Sequence, residues 1–130
     1  MIELLQVSPL PPFLVERLKA DYTLHDFVTP ADPDTLLADV GPRIRGILSG
    51  GMRGPDAGLI NRLDRLEIIA SFGVGFDATD VVAAQARGVI VTNTPDVLTG
   101  DVADLAMTLI LMAPRRIGEA ERFLRAGKWR

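Results

Sequence analysis

The sequence predicts an α/β domain built on a five-stranded parallel sheet. Three observations lead there. Short β-rich runs alternate with helical runs, Gly, Pro and Asp punctuate the joints, and the composition is that of an ordinary compact domain. With 130 residues, 48% hydrophobic and 24% charged, the chain is long enough to bury one core.

The elements follow in order. Strands are expected at Ile2–Val7, Tyr22–Phe27, Ile44–Leu48, Leu66–Ser71 and Val89–Thr92. Helices are expected near Pro12–Ala20, Pro33–Val40, Asp56–Leu63, Thr79–Arg87 and Asp101–Ala126. Asp32 before Pro33, and Asp80 at the fourth helix, are start signals, because a carboxylate can accept from the free N–H groups of a first turn. Strands joined by helices imply parallel pairing, and the strand order 2-1-3-4-5 gives a flavodoxin-like sheet with flanking helices.

The last helix differs from the others. Val102, Leu105, Ala106, Leu109, Ile110, Ala113 and Ile117 recur at helical steps, and Met107, Leu111 and Met112 widen the apolar surface. Such a surface needs a cover, so a homodimer through residues 101–126, or docking to a further domain, is expected. Pro114 lacks an N–H and would collide with the Ile110 carbonyl, which predicts a kink or a helix restart. Residues 1–99 therefore read as one domain and 100–130 as a dimerisation or interdomain segment.

Composition excludes several function classes. Absence of cysteine removes disulfides and thiolate metal sites, and a reducing, cytoplasmic setting suits it. No cluster of metal ligands is visible. No apolar run approaches the roughly 20 residues that span a bilayer, and Glu3 breaks any signal-peptide pattern at the start. The net charge of −3 hides a locally basic tail, yet Glu119 and Glu121 interrupt it, so neither nucleic acid nor a membrane is an expected partner. His25, the only histidine, falls inside the second strand and reads as structural. After strand one, Ser8-Pro9-Leu10-Pro11-Pro12 lacks the Gly- and hydroxyl-rich loop of a phosphate binder and the clustered acids of a phosphoacceptor.

Two glycine-rich turns remain. Gly73-Val74-Gly75-Phe76-Asp77-Ala78 formally satisfies Gly-Xaa-Gly-Xaa-Xaa-Gly/Ala, but it follows the fourth strand, whereas the dinucleotide fingerprint belongs to the first βα unit. Its local physics still favours an anion such as a carboxylate, because backbone amides without Cβ neighbours admit close approach. A tight turn with no ligand is the alternative. Ser49-Gly50-Gly51 leaves the third strand, either as a plain turn or as part of a ligand site. The ends of strands 1, 3 and 4 gather at the topological switch point, so the two turns are expected to be neighbours.

Longer strings carry a resemblance. Ile68-Ile69-Ala70-Ser71-Phe72-Gly73-Val74-Gly75-Phe76-Asp77, Ala86-Arg87-Gly88-Val89, Val91 through Thr99 and Asp101-Val102-Ala103-Asp104 occur in the order and spacing of the D-isomer-specific 2-hydroxyacid dehydrogenases. Asn93 through Asp104 and Arg115-Arg116-Ile117 through Trp129 resemble the glyoxylate/hydroxypyruvate reductase branch, and coverage is strongest over residues 66–130. Pro114 departs from the pattern, where a helix former is usual.

The resemblance implies the amino-terminal, substrate-side part of a two-domain enzyme that uses NAD or NADP to reduce a small 2-oxo acid to the D-2-hydroxy acid. It implies that the Val74 and Gly75 amides hold the substrate carboxylate, that the Ser49, Gly50 and Gly51 loop faces the substrate, and that Thr99 lies by the nicotinamide. The arginine, glutamate and histidine of the family's chemistry come from later sequence, so no catalytic residue is assigned within this chain, and the chain alone is expected to be inactive and to bind NAD(P) poorly. A stand-alone α/β small-anion binding or dimerisation module without catalysis is the alternative.

Overall fold

A computed structural model of the chain describes residues 1–129. It separates into two compact units, Met1–Pro95 and a second from Asp96 onward.

The first unit holds five strands, β1 (Ile2–Gln6), β2 (Tyr22–Asp26), β3 (Ile44–Gly50), β4 (Ile68–Phe72) and β5 (Ile90–Thr92). All pair in parallel in the order β2-β1-β3-β4-β5, as the sequence predicts. Four helices connect them: α1 (Pro12–Asp21), α2 (Pro33–Val40), α3 (Ala57–Asn61) and α4 (Val81–Ala86), with one 3₁₀ turn at Gly41–Arg43. Asp32 caps α2 by accepting from the Asp34 and Thr35 amides at 3.1 and 3.2 Å. Asp56 accepts from Leu59 at 2.8 Å, and Asp80 from Ala83 at 2.9 Å. These carboxylates fix where each helix begins, and so where each preceding loop must end.

Leu5, Ile47 and Ile69 point to one face of the sheet and are fully buried, packed with Val40 of α2, Ile60 of α3 and Ala84 of α4. Arg87 fastens α4 to the end of α3 by donating to the carbonyls of Ile60 and, at 3.0 Å, Leu63. The other face carries Leu4, Gly46, Leu48, Ile68 and Ala70, which line an open groove with Leu18 of α1. A Cβ on Gly46 would meet Leu4 Cδ2 at 2.8 Å, which explains a glycine in mid-strand.

The second unit corrects the expectation of a single long helix over 101–126. It holds two helices, α5 (Thr99–Arg115) and α6 (Ile117–Arg125). Pro114 sits inside the last turn of α5, and the break falls two residues later at Arg116, in the left-handed conformation with φ 51° and ψ 39°. The Arg116 amide closes α5 on Ala113 O at 3.2 Å, and its carbonyl starts α6 by accepting from Glu119 and Ala120. A proline near a helix end weakens the ladder, and a left-handed residue ends it. Val102, Leu105, Leu109 and Ile110 on α5 are exposed.

No described helix is long and apolar enough to cross a membrane. Among the described residues, no group of three or more His, Cys, Asp or Glu stands together as a metal site would need.

Candidate functional site

β3 and β4 run side by side, with Ser49 opposite Ser71 and Gly50 opposite Phe72, so the loops that leave their C-terminal ends emerge together. They meet backbone to backbone. A Cβ on Gly73 would stand 3.0 Å from Gly51 N and 3.1 Å from Gly51 Cα, and one on Gly51 would stand 3.4 Å from Gly75 O. A side chain at Gly73 would press on the Gly51 backbone, whereas one at Gly51 would be in ordinary contact. The next turn repeats the arrangement, since a Cβ on Gly54 would fall 2.8 Å from Ala78 O. The two glycine-rich turns are therefore neighbours, as the switch-point rule leads one to expect.

Three hydrogen bonds shape the second loop. Gly73 N donates to Ser71 O at 3.1 Å, Thr94 N donates to Gly73 O at 2.9 Å, and Asn93 Nδ2 donates to Val74 O at 2.8 Å. Phe72 stacks edge-on against Phe13, with ring centroids 6.4 Å apart, and steadies the strand end from its other side. Val74 and Gly75 themselves are half-buried. Among the described residues, neither of their amides donates a hydrogen bond within the chain. Two successive amides, held in place and without partners, suit a carboxylate or another small anion.

The first loop is walled by hydroxyls. Ser49 is fully buried at the end of β3, and a Cβ on Gly50 would stand 3.1 Å from the Ser8 hydroxyl. Asp77 is exposed, and its carboxylate oxygen lies 3.9 Å from where a Gly75 Cβ would be.

The remaining sequence assignments fall elsewhere. Thr99 belongs to the second unit, where it is the first residue of α5. His25 bonds Glu3 at 2.8 Å, and Glu3 also accepts from Arg43 at 2.8 Å, so the histidine is held in a structural ion cluster. The Arg43 guanidinium first, and His25 second, hold the Glu3 carboxyl below its ordinary value. The Gly73–Ala78 loop lacks the setting of a dinucleotide fingerprint: it follows β4, and the first turn of the α4 beyond it is already capped by the Asp80 carboxylate. Asn93, Ser8 and Thr79 escaped assignment from sequence. Asn93 had a usable signal, a polar amide directly after a strand and inside the longest family string.

Residues 4–124 match the family model described as D-isomer specific 2-hydroxyacid dehydrogenase, catalytic domain. The chain belongs to this family. Among the family's members, glyoxylate/hydroxypyruvate reductase A of Arabidopsis thaliana is 42% identical over 129 residues, covering 99% of this chain and 41% of the relative. Hydroxyphenylpyruvate reductase of Plectranthus scutellarioides is 41% identical over the same share of each. Of solved 2-hydroxyacid dehydrogenases, that of Ketogulonicigenium vulgare superposes with a TM-score of 0.88 at 46% identity, covering 98% of this chain and 40% of that one. The NADPH-dependent glyoxylate/hydroxypyruvate reductase of Sinorhizobium meliloti, solved with NADP and malonate, gives a TM-score of 0.81 at 39% identity, covering 98% of this chain and 39% of that one. Within the dehydrogenases, the similarity lies with the glyoxylate/hydroxypyruvate reductase branch. The chain spans about two fifths of the length of these relatives.

Proposed function

We propose that these residues form the substrate-carboxylate side of a cytoplasmic NAD(P)-dependent reductase that converts a small 2-oxo acid, of the glyoxylate or hydroxypyruvate kind, to its D-2-hydroxy acid. The observation that carries this reading is the pair of amides at Val74 and Gly75, fixed by Asn93 and by the contact with Gly51. Malonate bound to the Sinorhizobium meliloti relative is a small carboxylate of the same class.

Reduction of a 2-oxo acid adds a hydride to C2 and a proton to the carbonyl oxygen. In this reading, the Val74 and Gly75 amides donate to the carboxylate, and the Ser49-Gly50-Gly51 turn closes the floor beneath it. Holding the carboxylate fixes the adjoining carbonyl carbon, the positional part of catalysis. NADH or NADPH, held by a nucleotide domain, would supply the hydride and be oxidised to NAD⁺ or NADP⁺, with Thr99 on the nicotinamide side. The proton donor would come from the remainder of the two-domain enzyme, so the 130-residue chain is inactive alone. Residues 1–99 act as the substrate domain and 100–130 as the link to the nucleotide domain. A second copy of the chain covers the apolar side chains of α5.

Titration of the ¹⁵N-labelled chain with oxalate tests the reading. Saturable shifts at the Val74 and Gly75 amides are expected. Shifts confined to other residues, or none at all, would refute it.

A further inference from the structure

Ser8, Ser49, Ser71 and Thr79 are the buried polar side chains among the described residues. All four are hydroxyls, and all lie in the strand ends and loops that build the carboxylate site. Elsewhere the buried cluster is apolar.

Ser49 and Ser71 stand apart from the other two. They are direct partners across β3 and β4, two positions beyond the partners Ile47 and Ile69, so both hydroxyls lie on the core face. Strands buried within an α/β domain ordinarily carry Val, Ile or Leu there. Ser49 is fully buried, and its Oγ, like that of Ser8, has no partner among the described residues. A hydroxyl so placed needs a partner, and neighbouring strands lie about 4.8 Å apart, a gap that one water can bridge.

We propose that the Ser49 and Ser71 hydroxyls share one buried water, and that this link sets the spacing of the two strand ends carrying Gly50–Gly51 and Gly73–Gly75. Ser49 and Ser71 are then positioning residues, since the fully buried Ser49 acts only through the loop above it. The consequence for binding follows from the closeness of the loops. With 3.0 Å between Gly51 N and the position of a Gly73 Cβ, a small change in strand spacing redirects the amides of Val74 and Gly75. The inference rests on the carboxylate reading of those amides.

The test is a double-substitution cycle read by oxalate affinity. Ser49→Ala, Ser71→Ala, the pair together, and Ser71→Thr are each titrated with oxalate while the Val74 and Gly75 amides are followed. Each alanine is expected to weaken binding about fivefold, and the double variant also about fivefold, because the second change removes a link already broken. Ser71→Thr keeps the hydroxyl and is expected to retain affinity close to the parent's. Magnetisation transfer from a long-lived water to the amides beside Ser49 and Ser71 is expected in the parent and lost in both alanine variants. Unchanged affinities, or a double variant near the product of about 25-fold, would overturn the positioning role. If the parent itself shows no oxalate-dependent shift, the carboxylate reading fails and the positioning role falls with it; parent binding with unaffected variants removes the positioning role alone.

Discussion

The side-chain amide of Asn93 donates to the carbonyl oxygen of Val74 at 2.8 Å, tying the residue after β5 to the middle of the glycine loop after β4. One contact thus orients the peptide whose two neighbouring amides face the candidate anion. Asn93→Ala should cost about 1–2 kcal/mol of stability, typical of a lost hydrogen bond with a half-buried acceptor left behind. It should also weaken oxalate binding several-fold. Urea unfolding and oxalate titration of the same variant check both, and full retention of affinity would separate Asn93 from the site.

Gly73→Ala places a methyl 3.0 Å from the Gly51 nitrogen and 3.1 Å from its Cα, backbone atoms with no flexible side chain to yield. Overpacking of this kind costs about 1–3 kcal/mol. The expected result is a lower melting temperature together with loss of oxalate binding. A variant that melts like the parent would mean that the two loops can part without penalty.

Arg87 should matter to stability and not to the site. Its guanidinium adds charged donors to Ile60 O and Leu63 O at the end of α3, carbonyls that also accept from the Leu63 and Leu66 amides. Arg87→Ala should destabilise by about 1–3 kcal/mol while leaving oxalate affinity unchanged, as measured by denaturant midpoints beside a titration.

Acid should destabilise the first unit through identifiable carboxylates. Arg43 and then His25 hold Glu3 below its ordinary 4.5, and Arg45 holds Glu67 below the same value through a paired contact at 2.7 and 2.8 Å. A carboxylate whose folded pKa is lowered adds stability above its unfolded pKa and loses it as pH falls through the folded one. The melting temperature should therefore not depend on these groups from neutral pH down to about 5, and should fall below 4.5. Glu3→Gln should make that acid limb shallower, and an identical limb in the variant would assign the acid response to other groups.

The apolar surface of α5 predicts self-association. Leu109 and Ile110 are 56% and 61% exposed, too much neighbouring hydrocarbon for a helix facing only water. Leu109→Glu should shift the sedimenting species from dimer to monomer. A parent chain that sediments as a monomer at all concentrations would remove the homodimer.

Much of this fold was legible in the sequence because its punctuation is chemical. Pro12, Asp32 with Pro33, and Asp80 each mark a helix start by capping or by a fixed φ, and the structure has helices beginning there. Strand order followed from the βα alternation. The last helix, expected over 101–126 with a kink or restart at Pro114, does restart, but two residues later, at Arg116, whose left-handed backbone is unusual for a residue with a Cβ. At the site, the meeting of the two glycine turns could be foreseen from topology. The bond from Asn93 to Val74 and the pairing of Ser49 with Ser71 could not, since both depend on which way side chains point across strands separated by about twenty residues.

The two glycine loops meet as main chain resting on main chain, Gly51 against Gly73 and Gly75. Around it, Met52 and Phe76 are 94% and 49% exposed and take no part in that contact. Inheritance can therefore act on the two layers separately. Substitutions at the exposed positions can accumulate over generations without touching that contact, while Gly73 beneath stays under a steric constraint set by the Gly51 backbone.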